Sequence, residues 1–182
     1  MKKLLIVVDY QKDFVTGTLG FEGAAKIEEA IYEKITEYRK NGQDIAFTLD
    51  THYEDYSKTQ EGRNLPIAHC IHDTEGWQLY GKIAQLQALK EEGKAKCFSK
   101  FTFGSIDLAK DLLGKDYDVV ELVGVVTDIC VISNGILVKA ALPEAEIQID
   151  ANCVASNQIE MENKAFDIME NLHMKVLNRK GR

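Results

Sequence analysis

The sequence predicts an α/β fold: a doubly wound, mostly parallel sheet with helices on both faces, a three-layer sandwich in one domain spanning residues 1–182. Three observations predict it. Short apolar runs alternate with segments whose apolar residues recur at steps of three and four, the β-α-β order that generates parallel strands. The run at 119–126 is apolar almost throughout, as a strand buried on both faces requires. Length and composition agree: 182 residues suffice for about one domain with its own core, and 45% apolar with 28% charged residues is ordinary for a globular chain.

Residues 4–8 read as strand 1. Across 23–40, Ala24, Ile27, Ile31, Ile35 and Tyr38 form one helical face, and Asn41-Gly42 stops the helix. Strand 2 is 44–49, and a long polar segment follows from Asp50 to about Gly76. Residues 81–92 are helical, with Ile83, Leu86 and Leu89 as the apolar stripe. A short strand 3 at 94–98 and a short helix at 106–113 lead to strand 4 at 119–126. A helix at 130–141, strand 5 at 147–150, a helix at 157–171 and an edge strand at 174–177 complete the chain.

The formal net charge of −7 argues against nucleic acid or an anionic membrane as the main partner, because both select basic patches. No stretch approaches the roughly 18 apolar residues of a membrane span. The apolar run after Met1-Lys2-Lys3 ends at Asp9, too short for a signal peptide, so a cytoplasmic protein is expected. Cys70, Cys97, Cys130 and Cys153 are widely spaced, which reads as thiols in a reducing compartment rather than a disulfide framework.

Ligands of such sheets bind beyond the carboxyl ends of the strands, near the switch in strand order. The residues there are Asp9, Asp50 with His52, Lys100 and Cys130. Cys130 opens a helix-like segment directly after an apolar strand, where unpaired N–H groups and the helix dipole favour a thiolate nucleophile. The alternative is a small buried core residue. Asp9 is either a turn residue or a general base whose pKa is raised by apolar neighbours. Lys100, set among Phe98, Phe101 and Phe103, either covers aromatic surface or stabilises a thiolate or oxyanion. A thiol, a carboxylate and a lysine from three strand ends make a set suited to nucleophilic catalysis.

A second constellation follows strand 2. In an extended segment Asp50 and His52 point the same way and can bind one ion. His69 lies further along, and Glu61 offers a fourth ligand; His72 is an alternative to His69. Two imidazoles and a carboxylate leave open positions, as a substrate-binding metal needs. Mixed nitrogen and oxygen donors suit zinc, with iron or manganese also fitting.

These residues carry a resemblance. The run 7–14 (Val-Val-Asp-Tyr-Gln-Lys-Asp-Phe), Asp50-Thr51-His52, His69-Cys70, Lys100 and the run 124–131 (Gly-Val-Val-Thr-Asp-Ile-Cys-Val) occur in the order of the isochorismatase-like cysteine hydrolases. Within that superfamily the chain most resembles nicotinamidases. The resemblance implies that Asp9 takes the thiol proton, Lys100 supports the charge and Cys130 attacks an amide carbonyl to form a thioester. It implies an oxyanion hole from the N–H groups of Val126 and Cys130, with a cis peptide at Val125-Val126. It also implies a divalent metal holding a pyridine nitrogen, Phe14 packed on the substrate ring with Leu65 and Phe103 beside it, and a homo-oligomer. Two departures stand out. Nicotinamidases often carry a further histidine just after Asp-x-His; residues 53–57 have none, and Glu61 is the replacement candidate. Leu65 sits where a tryptophan often precedes the proline.

Two rivals remain. One keeps the nucleophile but acts, without metal, on an N-carbamoyl compound or another small primary amide. The other is a non-catalytic nucleotide or flavin module, which the missing Gly-x-Gly-x-x-Gly after strand 1 disfavours.

Overall fold

Six strands form one sheet in the order β3-β2-β1-β4-β5-β6, with every neighbouring pair parallel. The computed structural model describes residues 1–85 and 95–179. The strands are β1 (Lys3–Val8), β2 (Asp44–Asp50), β3 (Ala95–Lys100), β4 (Val119–Val125), β5 (Glu146–Ala155) and β6 (Lys175–Leu177). The helices are α1 (Lys12–Val15), α2 (Glu22–Lys26), α3 (Glu28–Lys40), α4 (Gln60–Asn64), α5 (Gly81–Gln85), α6 (Ile106–Leu112), α7 (Ile132–Ala141) and α8 (Ile159–Asn171).

Strand geometry sends alternate side chains to opposite faces, and here both faces are apolar. Leu5 and Val7 of β1 join Phe47, Val123 and Val125 under Ile31, Ile35 and Tyr38 of α3. Leu4, Ile6 and Val8 join Val120, Leu122, Ile147 and Ile149 under Leu108, Val138, Phe166 and Met169 of α6, α7 and α8. None of the four cysteines is in a disulfide. Among the described residues, no helix is long and apolar enough to cross a membrane.

Several expectations need correction. The single helix at 23–40 is two, α2 and α3, with Ile27 between them. Gly42 does end α3, at φ +63°, its N–H bonded to the Arg39 carbonyl. Strand 5 runs to Ala155 rather than Asp150, because its pairing with β4 shifts register between Leu122 and Gly124, and the polar 150–153 stretch hid its continuation. The helix at 130–141 begins with a π-helical turn, Thr127–Val131. The long polar segment contains a 3₁₀ turn (Tyr56–Lys58) and α4. The helix expected at 81–92 is seen as α5; its continuation with Leu86 and Leu89 lies outside the described residues, as does Lys94.

β1 and β4 are central neighbours from which the chain winds in opposite directions, so their carboxyl ends form the switch point. The strands meet closely there. Gly124, at φ +112°, has no room for a side chain, since a Cβ would lie 2.1 Å from the Val8 carbonyl oxygen. Gly124→Ala is expected to cost more than the about 1–3 kcal/mol of an unfavourable backbone conformation alone. The drop should appear as a lower urea midpoint at unchanged slope.

Candidate active site

β1 ends at Val8 and the chain turns sharply at Asp9, whose φ of +46° is tolerated better by Asp than by most residues. The turn leaves the Asp9 side chain fully buried beneath the switch point. Thr48 donates to its Oδ1 at 2.7 Å, and Lys100 Nζ lies 2.7 Å from its Oδ2. Lys100, the last residue of β3, also reaches Asp50 Oδ1 at 3.1 Å, the Thr102 carbonyl at 3.0 Å and Cys130 Sγ at 3.6 Å. Its surroundings are therefore carboxylates and sulfur rather than the phenylalanines expected from sequence. Phe101 and Phe103 are exposed.

Cys130 lies in the π-helical turn after a cis Val125–Val126 peptide. Asn134 anchors this turn: its Nδ2 donates to the Cys130 carbonyl at 2.8 Å and the Phe103 carbonyl at 3.2 Å, while its Oδ1 accepts from Ser105 N–H. Burial drives the Cys130 thiol well above its ordinary pKa, against the opposing charge of Lys100. Burial also raises the Asp9 carboxyl above the usual aspartate range, again against Lys100. Burial works against the Lys100 ammonium, but Asp9, Cys130 and Asp50 carry its pKa well above the ordinary lysine value. The arrangement sets the Cys130 sulfur beside the Lys100 ammonium and a carboxylate with enhanced proton affinity.

The second cluster forms because the polar segment doubles back beside the chain leaving β2. His52 N–H donates to the Cys70 carbonyl at 3.0 Å, and His72 N–H to the His52 carbonyl at 2.8 Å. Asp13 holds the returning chain by accepting from Cys70 N–H at 2.8 Å. This brings His69, and not His72, beside His52; His72 sits at the surface against Asp73. Asp50, His52 and His69 place ligand atoms within 4.8 Å of one another, all buried. Thr59 caps α4 by accepting from Gly62 N–H, which sets Glu61 in the first turn with Oε1 3.7 Å from His52 Nε2 and 3.8 Å from His69 Nε2.

The donor set fits a cation. His69 Nδ1 lies 2.8 Å from the Ile67 carbonyl, an acceptor only, so Nδ1 carries the proton and Nε2 presents a lone pair. His52 Nε2 is buried without a hydrogen-bond partner. With neutral imidazoles these atoms, Asp50 Oδ2 and Glu61 Oε1 are all acceptors. Such a convergence needs protons or a metal ion between them. Asp50 faces both clusters, Oδ1 toward Lys100 and Oδ2 toward His52 and His69 at 2.9 and 3.4 Å. Burial opposes its charge, but the adjoining imidazoles and the Lys100 charge hold its pKa below the usual range.

A cavity of about 220 Å³ opens beside both clusters. Phe14, Leu65, Phe103, Val126, Cys130, Asp50, Glu61 and His69 line it. Leu19, Phe21, Ile129, Asn157 and Gln158 line it as well and were not anticipated. Asn157 and Gln158 follow β5, so the strand-end rule would have found them had that strand been given its full length. Leu19 and Phe21 lie between α1 and α2, where no periodicity marks them.

A switch-point cavity lined by Cys130, whose sulfur lies 3.6 Å from a Lys100 ammonium that also pairs with Asp9, defines a hydrolase of the parallel α/β class. More particularly, the chain belongs to the isochorismatase family: the Isochorismatase domain model matches residues 3–180. The isochorismatase family protein PncA of Bacillus subtilis (strain 168) is 35% identical over 144 residues, covering 75% of this chain and 78% of the relative. The crystal structure of the nicotinamidase/pyrazinamidase PncA from Bacillus subtilis superimposes with a TM-score of 0.87 at 31% identity, covering 98% of this chain and 100% of that one. The pyrazinamidase of Pyrococcus horikoshii in complex with zinc gives 0.81 at 27% identity, with 98% and 100% covered. The protein is an amidohydrolase.

Proposed function

We propose that the protein hydrolyses nicotinamide, or a closely related pyridine or pyrazine carboxamide, to the acid and ammonia through a thioester on Cys130. The observation that carries this reading is the layout of one cavity, with Cys130 on its wall and Asp50, Glu61 and His69 also lining it. A flat ring bearing a carboxamide can engage both at once. The nicotinamidase and pyrazinamidase relatives support the same substrate class.

Asp9 takes the Sγ proton as sulfur attacks the carboxamide carbon, and Lys100 stabilises the negative charge that develops on sulfur. The N–H groups of Val126 and Cys130 receive the oxyanion; one such donor is typically worth about 2.7–4 kcal/mol of barrier. The Asp9 carboxyl returns its proton to the leaving nitrogen, which departs as ammonia. Asp9 then takes a proton from water as it attacks the thioester, and the acid leaves with the thiol restored. Phe14, Leu65 and Phe103 pack the ring and exclude water. Asp50, His52 and His69, with Glu61 beside them, would hold a divalent ion, zinc by donor type, and that ion would supply a Lewis-acid contact to the ring nitrogen.

The test is ammonia release from nicotinamide, pyrazinamide and N-carbamoyl amines, before and after treatment with a chelator. Turnover of the two ring amides is expected, lost on chelation and restored by zinc, and lowered about 10- to 100-fold or more in His69→Ala. Chelator-insensitive turnover of N-carbamoyl amines alone would replace this reading with the metal-independent one.

A further inference from the structure

We propose that Gln11 is a positioning residue that sets the Asp50 carboxylate between Lys100 and the two histidines; this rests on the metal-assisted reading above. β1 stops pairing with β2 at Val8 and Thr48, and Asp9 N–H makes one last bond to the Thr48 carbonyl at 3.2 Å. The chain then turns away, which would strip Asp50 of a backbone neighbour on that side. The Gln11 side chain replaces it. Its Oε1 accepts from Asp50 N–H at 2.8 Å, and its Nε2 donates to the Asp50 carbonyl at 2.9 Å. The same Nε2 donates to the Trp77 carbonyl at 2.8 Å. All three bonds are made by a fully buried side chain.

Only a primary amide of this length offers a donor and an acceptor in the spacing of a strand neighbour. Among the described residues Asp50 joins the two clusters: its Oδ1 lies 3.1 Å from Lys100 Nζ, and its Oδ2 lies 2.9 Å from His52 Nε2 and 3.4 Å from His69 Nε2. An amide that holds this backbone therefore holds the separation between the nucleophile's cation and the metal donors. Outer-shell partners of this kind typically change metal affinity or activity about 10- to 100-fold when lost.

The experiment compares Gln11→Met, which removes every bond, and Gln11→Glu, which keeps the acceptor and loses both donations. Tyr38→Phe is the control, since it deletes a buried bond to Glu121 away from the site. The zinc dissociation constant is measured by chelator competition, kcat and KM by ammonia release at saturating zinc, and folding by urea unfolding. Gln11→Met is expected to raise the zinc constant about 10- to 100-fold and to lower kcat, with Gln11→Glu intermediate. Tyr38→Phe should lower only the urea midpoint. Wild-type zinc affinity and kcat in both Gln11 variants would overturn the inference, as would an equal loss of zinc affinity in Tyr38→Phe. Failure of both Gln11 variants to fold while the control folds would assign the residue to stability alone and overturn it too. Absence of zinc binding in the wild type would instead overturn the metal reading, and the inference with it.

Discussion

Cys130→Ala is expected to abolish ammonia release, by about 10⁶-fold in kcat, while leaving the fold intact. The size of the effect follows from the isolation of the sulfur. No other thiol lines the cavity, and Cys70, held by burial at the back of the histidine loop, is pushed well above the ordinary thiol range. The fold should survive because the change removes one atom from a site already open to a cavity, so the urea midpoint moves little. Cys130→Ser should be nearly as inactive, because an alcohol is harder to deprotonate than the thiol that Asp9 must relieve of its proton. Ammonia release near the wild-type rate in either variant would remove the thioester from the mechanism.

Lys100→Met should combine a near-complete loss of turnover with the largest loss of stability of any single change in the site. The ammonium is the buried partner of both Asp9, at 2.7 Å, and Asp50, at 3.1 Å. Its removal leaves two carboxylates facing each other in a dry site. Breaking such a buried pair typically costs about 3–5 kcal/mol. The loss can be softened only by protonating one of them, and a protonated Asp9 cannot act as the base. The raised Lys100 pKa fixes the sign with pH. Its stabilisation is fully present below the unfolded lysine value and fades only as pH climbs through the higher folded one. Across neutral pH the wild-type and variant urea midpoints should therefore differ by a nearly constant amount. A variant with an unchanged midpoint would mean that the ion contacts carry no net stability.

Much of this arrangement was legible from the sequence. The apolar runs ending at Asp9, Asp50 and Cys130 announce strands buried on both faces, and the end of a parallel strand is where a ligand-facing side chain belongs. The spacing of Asp50 and His52 reports a shared direction. What was hidden depends on long-range closure. Gln11 carries no signal of its role until β1 is seen to veer away from β2. Asn134 reads as one more residue of α7, yet it ties the cysteine turn to the Phe103–Ser105 stretch. The register shift opposite Gly124 carries β5 past its polar stretch and so delivers Asn157 and Gln158. The depth of Cys130 is hidden for a related reason: a helix start after an apolar strand suggests an easily ionised thiol, whereas burial pushes its pKa up, and depth is a property of the assembled layers.

The double duty of Asp50 has a consequence for anyone wishing to redirect this scaffold. His52, His69 and Glu61 belong to the donor cluster, so that half of the site is open to redesign toward acyl groups without a ring nitrogen. Asp50 is not, because one of its oxygens belongs to the lysine that serves the sulfur. The frontier between the interchangeable and the indispensable parts of the machine thus runs through a single carboxylate, between its two oxygen atoms.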